Sequence, residues 1–269
     1  MIHFIEIANS TTSYNFHTHT QFCDGHAPME DFVNEAIAMG FPHLGFTPHG
    51  PVPIESSCNM KPDDIQPYLE EVQRLRHTYG DRINIYAGME VDYLNKKQFA
   101  ESLCSDIDLD YRIGSVHFIP SFDDPTEYID IDGRFEKFKV KMKTYFHDDI
   151  EAVVKSYFRQ SLEMVEAGGF EIVGHFDKIG LNASMFSQSI DEQPWFDHLV
   201  INLFEAIMDY GYIIEINTKA WLQHNRFFPN LKYFAMLKKY NATVLVNSDT
   251  HYPTLIDSGR PEALRLIID

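Results

Sequence analysis

Basic residues are scarce in this 269-residue chain: 22 Lys and Arg stand against 40 Asp and Glu, a formal net charge of −18. A surface that tracks a nucleic-acid backbone or an anionic membrane needs Lys/Arg patches, so neither partner is expected. Cysteine is equally sparse, and Cys23, Cys58 and Cys104 form no C-x-x-C pair. Three isolated thiols argue against a disulfide framework or a Cys-based structural zinc site, and fit a reducing cytoplasm. No stretch approaches the ~18 consecutive apolar residues of a membrane span. The opening segment Met1–His17 has no basic region followed by an apolar run, so a signal peptide is not expected either. The acidity leaves room for a small phosphorylated ligand, because a local site can oppose the overall charge.

What remains is an ordinary globular composition, 44% hydrophobic and 23% charged. A chain of this length buries about 75% of the surface it exposes when unfolded, enough to need no cross-links. One domain spanning residues 1–269 is the simplest organisation. Short apolar runs alternate with longer helical patterns. Strands are expected at Tyr14–His17, His43–Thr47, Ile83–Glu90, Tyr111–His117, Ile172–His175, Tyr212–Asn217 and Thr243–Asn247. Helices are expected at Met29–Met39, Asp63–Tyr79, Lys96–Cys104, Ile150–Ala167, Trp195–Tyr210, Leu231–Tyr240 and Pro261–Ile267, several ending at glycine (Gly40, Gly80, Gly168) as a C-cap does. Seven β-then-α units imply parallel strands with right-handed crossovers, closed as a barrel one unit short of eight. The polar, aromatic segment Ile119–Asp149 breaks that rhythm and reads as an insertion after the fourth strand, placed to lie over the mouth of a site.

Thirteen histidines are present, and their placement says more than their number. His17 and His19 lie two apart in an extended run, so both rings can face one ion. Alone, an H-x-H pair is as readily two surface histidines. The same placement then recurs: His49, Glu90, His117, His175, Asp249 and His251 each follow an apolar run where a strand gives way to a loop. Any one of them could be a hydrogen-bonded structural residue. Together they are a poor match to that reading, because the C-terminal strand ends of a βα barrel converge on one face. Imidazole and carboxylate without thiolate suit zinc, manganese or iron. With Asp24, nine such residues exceed what one tetrahedral ion uses, which implies two or three ions. Three divalent ions against three carboxylates leave about +3, a trap for phosphate.

The motifs His17-Thr18-His19, Phe22-Cys23-Asp24-Gly25-His26, Thr47-Pro48-His49, Gly88-Met89-Glu90-Val91-Asp92-Tyr93, Gly114-Ser115-Val116-His117-Phe118, Gly174-His175 and Ser248-Asp249-Thr250-His251-Tyr252 together resemble the PHP superfamily of metal-dependent phosphoesterases, from about residue 15 to 253. The resemblance implies a distorted (β/α)7 TIM-like barrel and a trinuclear site. It assigns His17, His19, Glu90 and Asp249 to a first divalent ion and Glu90, His117 and His175 to a second. Asp24, His49 and His251 fall to a third, where some relatives carry histidine in place of Asp24. Zinc is the expected metal, with manganese or iron as the other candidates. Length, Asp24-Gly25-His26 and Ser115-Val116-His117-Phe118 are most similar to the histidinol-phosphate phosphatases within that superfamily. This implies a cytoplasmic hydrolase of histidine biosynthesis that attacks the phosphate ester with metal-activated water, with Glu90, Asp249 and His251 as catalytic residues and the leaving-group acid either Asp249 or His251.

For the organic half of such a substrate, Phe118, Tyr157 and the acidic insertion are candidates. Arg159 and Arg226 are candidates for bidentate phosphate contacts, with surface salt bridges as the competing role. Asp92 shares a strand face with Glu90 and could support a ligand from behind. Of the other seven histidines, His3, His43, His77, His147 and His198 are expected at the surface or in packing, with His26 and His224 open. A nucleotide-specific phosphoesterase would call for a basic groove, a non-catalytic scaffold for eroded ligand positions, and an amidohydrolase for a strand-end lysine. None of these is seen in the sequence. The oligomeric state is open.

Overall fold

The computed structural model describes residues 2–102 and 107–268. In chain order it contains α1 (Phe4–Ser10), β1 (Tyr14–Asn15), α2 (Met29–Ala38), β2 (His43–Phe46), α3 (Ile65–Tyr79), β3 (Asn84–Asp92), α4 (Lys96–Ser102) and β4 (Tyr111–Ser115). There follow a hairpin of β5 (Phe118–Pro120) and β6 (Tyr128–Asp130), then α5 (Phe135–Tyr145), α6 (Ile150–Ala167), β7 (Ile172–Val173), α7 (Ile179–Phe186) and α8 (Pro194–Tyr210). The chain finishes with β8 (Ile213–Asn217), α9 (Trp221–His224), α10 (Phe234–Lys239), β9 (Val244–Asn247) and α11 (Arg260–Ile268). Seven parallel strands, in the order β1-β2-β3-β4-β7-β8-β9, form a nearly closed barrel.

The seam between β1 and β9 is closed largely by side chains. Asn247 Oδ1 accepts from the Phe16 amide at 2.9 Å, Asn15 Oδ1 accepts from the Ser248 amide at 3.0 Å, and beyond them Thr18 bridges Thr250. Carboxamides are suited to this because each carries both donor and acceptor and can stand in for a missing backbone partner.

Local sequence explains the elements. In α6, Asp149 accepts from the Ala152 amide at 3.0 Å, Val153, Val154, Tyr157, Phe158, Met164 and Val165 recur on one face, and Gly168 ends the helix at φ +69°. That pattern makes a helix with one buried face. Gly40 likewise has positive φ, but Gly80 remains right-handed at φ −65°, so the left-handed cap expected there is not formed. Inside the barrel, Tyr111 takes the space left by two glycines: a Cβ on Gly45 would lie 2.0 Å from its hydroxyl, and one on Gly88 2.5 Å from its ring. Helix α1 sets Phe4 edge-on against Phe16 and Tyr111, joining a second small core cluster.

Four expected strands, ending at His17, Thr47, His117 and His175, stop one or two residues early. His17, His117 and His175 thereby lie just beyond the strand ladders, whereas Glu90 stays within β3 and is bridged by His49. The expected end of the Lys96–Cys104 helix lies outside the described residues. Segment 119–149 is more regular than expected, with most of the β5–β6 hairpin and helix α5 inside it. Helices α1, α5, α7 and α9 were not anticipated. Among the described residues no helix is long and apolar enough to cross a membrane.

Candidate metal centre

Glu90 occupies the centre of the barrel mouth. Its carboxylate lies 3.2 Å from His17 Nε2, 3.4 Å from His19 Nε2, 3.1 Å from His49 Nδ1, 3.6 Å from His117 Nε2 and 2.9 Å from His175 Nε2. Asp249 Oδ1 stands 3.1 Å from His19 Nε2, and Asp24 Oδ1 stands 3.2 Å from His251 Nε2 and 3.8 Å from His49 Nε2. The structure thus brings together all nine residues singled out from the sequence. With Asp92 added, their ligand atoms form four compact groups: His19, Asp24, His49 and His251; His17, His19 and Asp249; Glu90, His117 and His175; and His49, Asp92 and His117. Two of them sit on strained backbone, His175 at φ +23° and Asp249 at φ +48°, a cost tolerated where a side chain must be aimed.

Although buried, His17 Nε2, His19 Nε2, Asp24 Oδ1, His49 Nδ1 and Glu90 Oε2 have no hydrogen-bond partner. The close approaches to these five atoms do not have hydrogen-bond geometry, and the atoms converge on shared space. His117 Nε2 and His175 Nε2 face each other at 3.3 Å, about the separation of two nitrogens on one tetrahedral zinc. Buried polar atoms left bare are costly, and a divalent ion is the group that this donor set fits.

Burial and neighbouring charge act differently on different members of the set. Burial opposes ionisation of Glu90, yet the neighbouring charges of His17, His49 and His117 outweigh it and hold its carboxyl well below the usual range. Burial, with repulsion from neighbouring imidazoles, holds His19 low, and burial with repulsion from Lys178 brings His175 to about 4, so both rings are neutral near pH 7. Behind the cluster stand two more carboxylates. Asp92 Oδ1 lies 2.7 Å from His117 Nδ1, and Glu215 Oε1 lies 2.6 Å from His17 Nδ1. Against burial, Asp92 and Glu90 raise His117 to about 9.

A cavity of about 760 Å³ opens onto this cluster. Asp24, His49, His117 and His251 line its floor, Lys178 and Lys219 one wall, and the inserted segment supplies Asp130, Asp132, Arg134 and Phe135. Lys219 Nζ lies 3.1 Å from Asp249 Oδ1 and 3.3 Å from His251 Nε2; Lys178 Nζ lies 2.9 Å from Asp132 Oδ2. Phe118 lines the cavity as expected from the sequence. The other three expected substrate contacts do not. Arg159 is exposed on α6 with its guanidinium on Ser156, Arg226 is held 2.7 Å from Asp191, and Tyr157 is buried with its hydroxyl toward the His175 carbonyl. Arg226 reaches only a smaller neighbouring pocket. His224 lines the main cavity, and His26 stacks on Tyr252 at 4.4 Å. Sequence reading missed Lys178, Lys219 and Glu215. A charged residue between Ile214 and Ile216 was the available signal for Glu215, and a lysine three residues after His175 was one for Lys178.

The PHP domain model matches residues 15–219. The chain is 28% identical over 254 residues to the Schizosaccharomyces pombe protein named "Probable histidinol-phosphatase", covering 88% of this chain and 80% of that one. It is 27% identical over 223 residues to the histidinol-phosphatase of Bacillus subtilis, covering 76% and 80%. Among solved structures, the histidinol phosphate phosphatase of Lactococcus lactis, complexed with zinc, L-histidinol and phosphate, superposes with a TM-score of 0.74 at 20% identity, over 95% of this chain and 92% of that one. The family match takes in the ligand-type residues from His17 to His175, and the barrel brings Asp249 and His251, which lie beyond it, into the same cluster. The chain belongs to the PHP domain family.

Proposed function

We propose that this chain hydrolyses L-histidinol phosphate to L-histidinol and inorganic phosphate, using three divalent metal ions, most simply zinc. The observation that carries the chemistry is the convergence of buried, unpartnered imidazole and carboxylate atoms at the barrel mouth. The substrate follows from the relatives, which share the name histidinol-phosphatase across bacteria and yeasts. His17, His19, Glu90 and Asp249 would hold one ion, Glu90, His117 and His175 a second, and Asp24, His49 and His251 a third. Bound divalent ions supply a hydroxide nucleophile at neutral pH and offset charge on the phosphoryl oxygens.

The chain's own residues do the rest. Lys219, and Lys178 with its ammonium beside Asp249, place positive charge where the phosphate enters and stand in for the arginines that the sequence pointed to. Of the two residues expected to protonate the leaving alkoxide, His251 lines the cavity and Asp249 does not. Phe118 and Phe135 flank the imidazole, and the carboxylates Asp130 and Asp132 face the substrate's ammonium. Segment 119–149 acts as an insertion that walls the cavity within one working unit, and the protein acts in the cytoplasm without nucleic acid or membrane.

The test is phosphate release from L-histidinol phosphate, other phosphomonoesters and a phosphodiester. A preference of at least ~10-fold in kcat/KM for L-histidinol phosphate is expected of a pocket that pairs polar substrate groups. Equal rates on all would remove the substrate and leave the family alone.

A further inference from the structure

Glu215 belongs to none of the four ligand groups, yet it is fully buried in the barrel interior. Its two oxygens carry four contacts. Oε1 meets His17 Nδ1 at 2.6 Å and the Asn247 carboxamide nitrogen at 3.1 Å; Oε2 meets the His175 amide at 3.1 Å and the Asn217 carboxamide nitrogen at 3.0 Å. These groups come from the ends of four strands, β1, β9, β7 and Glu215's own β8.

We infer that Glu215 is a positioning residue that orients His17 and His175 for the metal centre. An ionised carboxylate only accepts hydrogen bonds, so every group around it must donate. His17 therefore carries a proton on Nδ1, and its Nε2, which faces Glu90 and Asp249, is the atom left to ligate an ion. The bond from the His175 amide helps to hold that residue at φ +23°, the conformation that brings its Nε2 to 2.9 Å from Glu90. Packing alone would call for a branched aliphatic here, because burying a carboxylate costs several kcal/mol unless its partners are in place. Carboxylates behind metal-binding imidazoles fix tautomer and ring orientation in this way. Asp92 makes the same contact with His117, but it lies close enough to be a ligand itself, whereas Glu215 does not.

The inference rests on the metal reading above, and the test separates the two. Glu215→Gln keeps the shape but replaces one of the two acceptor oxygens by an NH2 that only donates. It sets its NH2 against either His17 Nδ1–H or the donors on the other side, or it turns His17 to the wrong tautomer. Expected are a 10–100-fold weaker metal affinity by chelator competition, an altered cobalt(II) visible spectrum and a kcat loss at unchanged KM. Glu215→Asp should fall between this variant and the wild type. Arg260→Met, which removes a buried charge held on the Val246 and Thr12 carbonyls, should lower stability and leave the cobalt spectrum alone.

Unchanged metal affinity and spectrum in Glu215→Gln, with only stability lost, would overturn the inference while leaving the metal centre standing. A wild-type chain that holds no metal overturns both. Should Glu215→Gln not fold, nitrogen-15 spectra of the zinc-loaded wild type decide. A His17 Nδ1–H proton protected from exchange supports the inference, and a freely exchanging one, or metal on Nδ1, refutes it.

Discussion

Glu90 lies between 2.9 and 3.6 Å from five imidazoles, a density of contact that no other carboxylate among the described residues is seen to match. A group so placed can bridge two ions, and its charge offsets theirs. Glu90→Gln keeps the volume and removes that charge. Metal content per chain and phosphate release should therefore fall together, the latter by more than about 100-fold. Full metal and full activity in the variant would remove Glu90 from the bridge. Lys219 makes a separable contribution. It is more than a third exposed, so Lys219→Met should fold normally. Losing one charged hydrogen bond to phosphate costs about 1.5–3 kcal/mol, or roughly 10–100-fold in kcat/KM. An unchanged kcat/KM would place the phosphate elsewhere.

The elements that carry these residues depend on a few close approaches. Gly45 and Gly88, on adjacent strands, make room for Tyr111, whose hydroxyl donates to the Phe16 carbonyl at 2.7 Å, one residue before His17. A methyl group on Gly88 must move that ring. Gly88→Ala should cost about 1–3 kcal/mol in urea unfolding, and Tyr111→Phe in the same background should not restore it, because the clash is with the ring. Strand ends were legible in the sequence because all but that of β8 are short apolar runs followed closely by His, Asp or Glu. The barrel followed from their repetition. Glu215 was not legible because a mid-strand acid looks like a solvent-facing residue until the barrel shows that its side points inward. Helix α5 hid for a different reason: Phe135-Glu136-Lys137-Phe138-Lys139-Val140 mixes charged and apolar residues, and only Phe138 and Met142 of the helix are buried, so little of an apolar stripe shows. The arginines were misassigned because charge type predicts a phosphate contact without predicting reach. Arg226 is spent on Asp191, and two lysines occupy the wall instead.

At the scale of the whole molecule, a chain of net charge −18 concentrates bare ligand atoms at one end of its barrel. Ions that bind the folded state alone stabilise it by about 4 kcal/mol at a free concentration 1,000 times Kd, which raises the melting temperature by roughly 10 °C for a chain of this size. A stripped protein that melts at the same temperature with and without added zinc would show that no such linkage exists. The most direct test of the central claim is an add-back titration. Protein stripped by chelator is supplied with zinc or manganese in steps, while phosphate release from L-histidinol phosphate is followed. Near-zero release without metal, rising to a plateau at two to three ions per chain, is the predicted result. Full turnover by the stripped protein would contradict it.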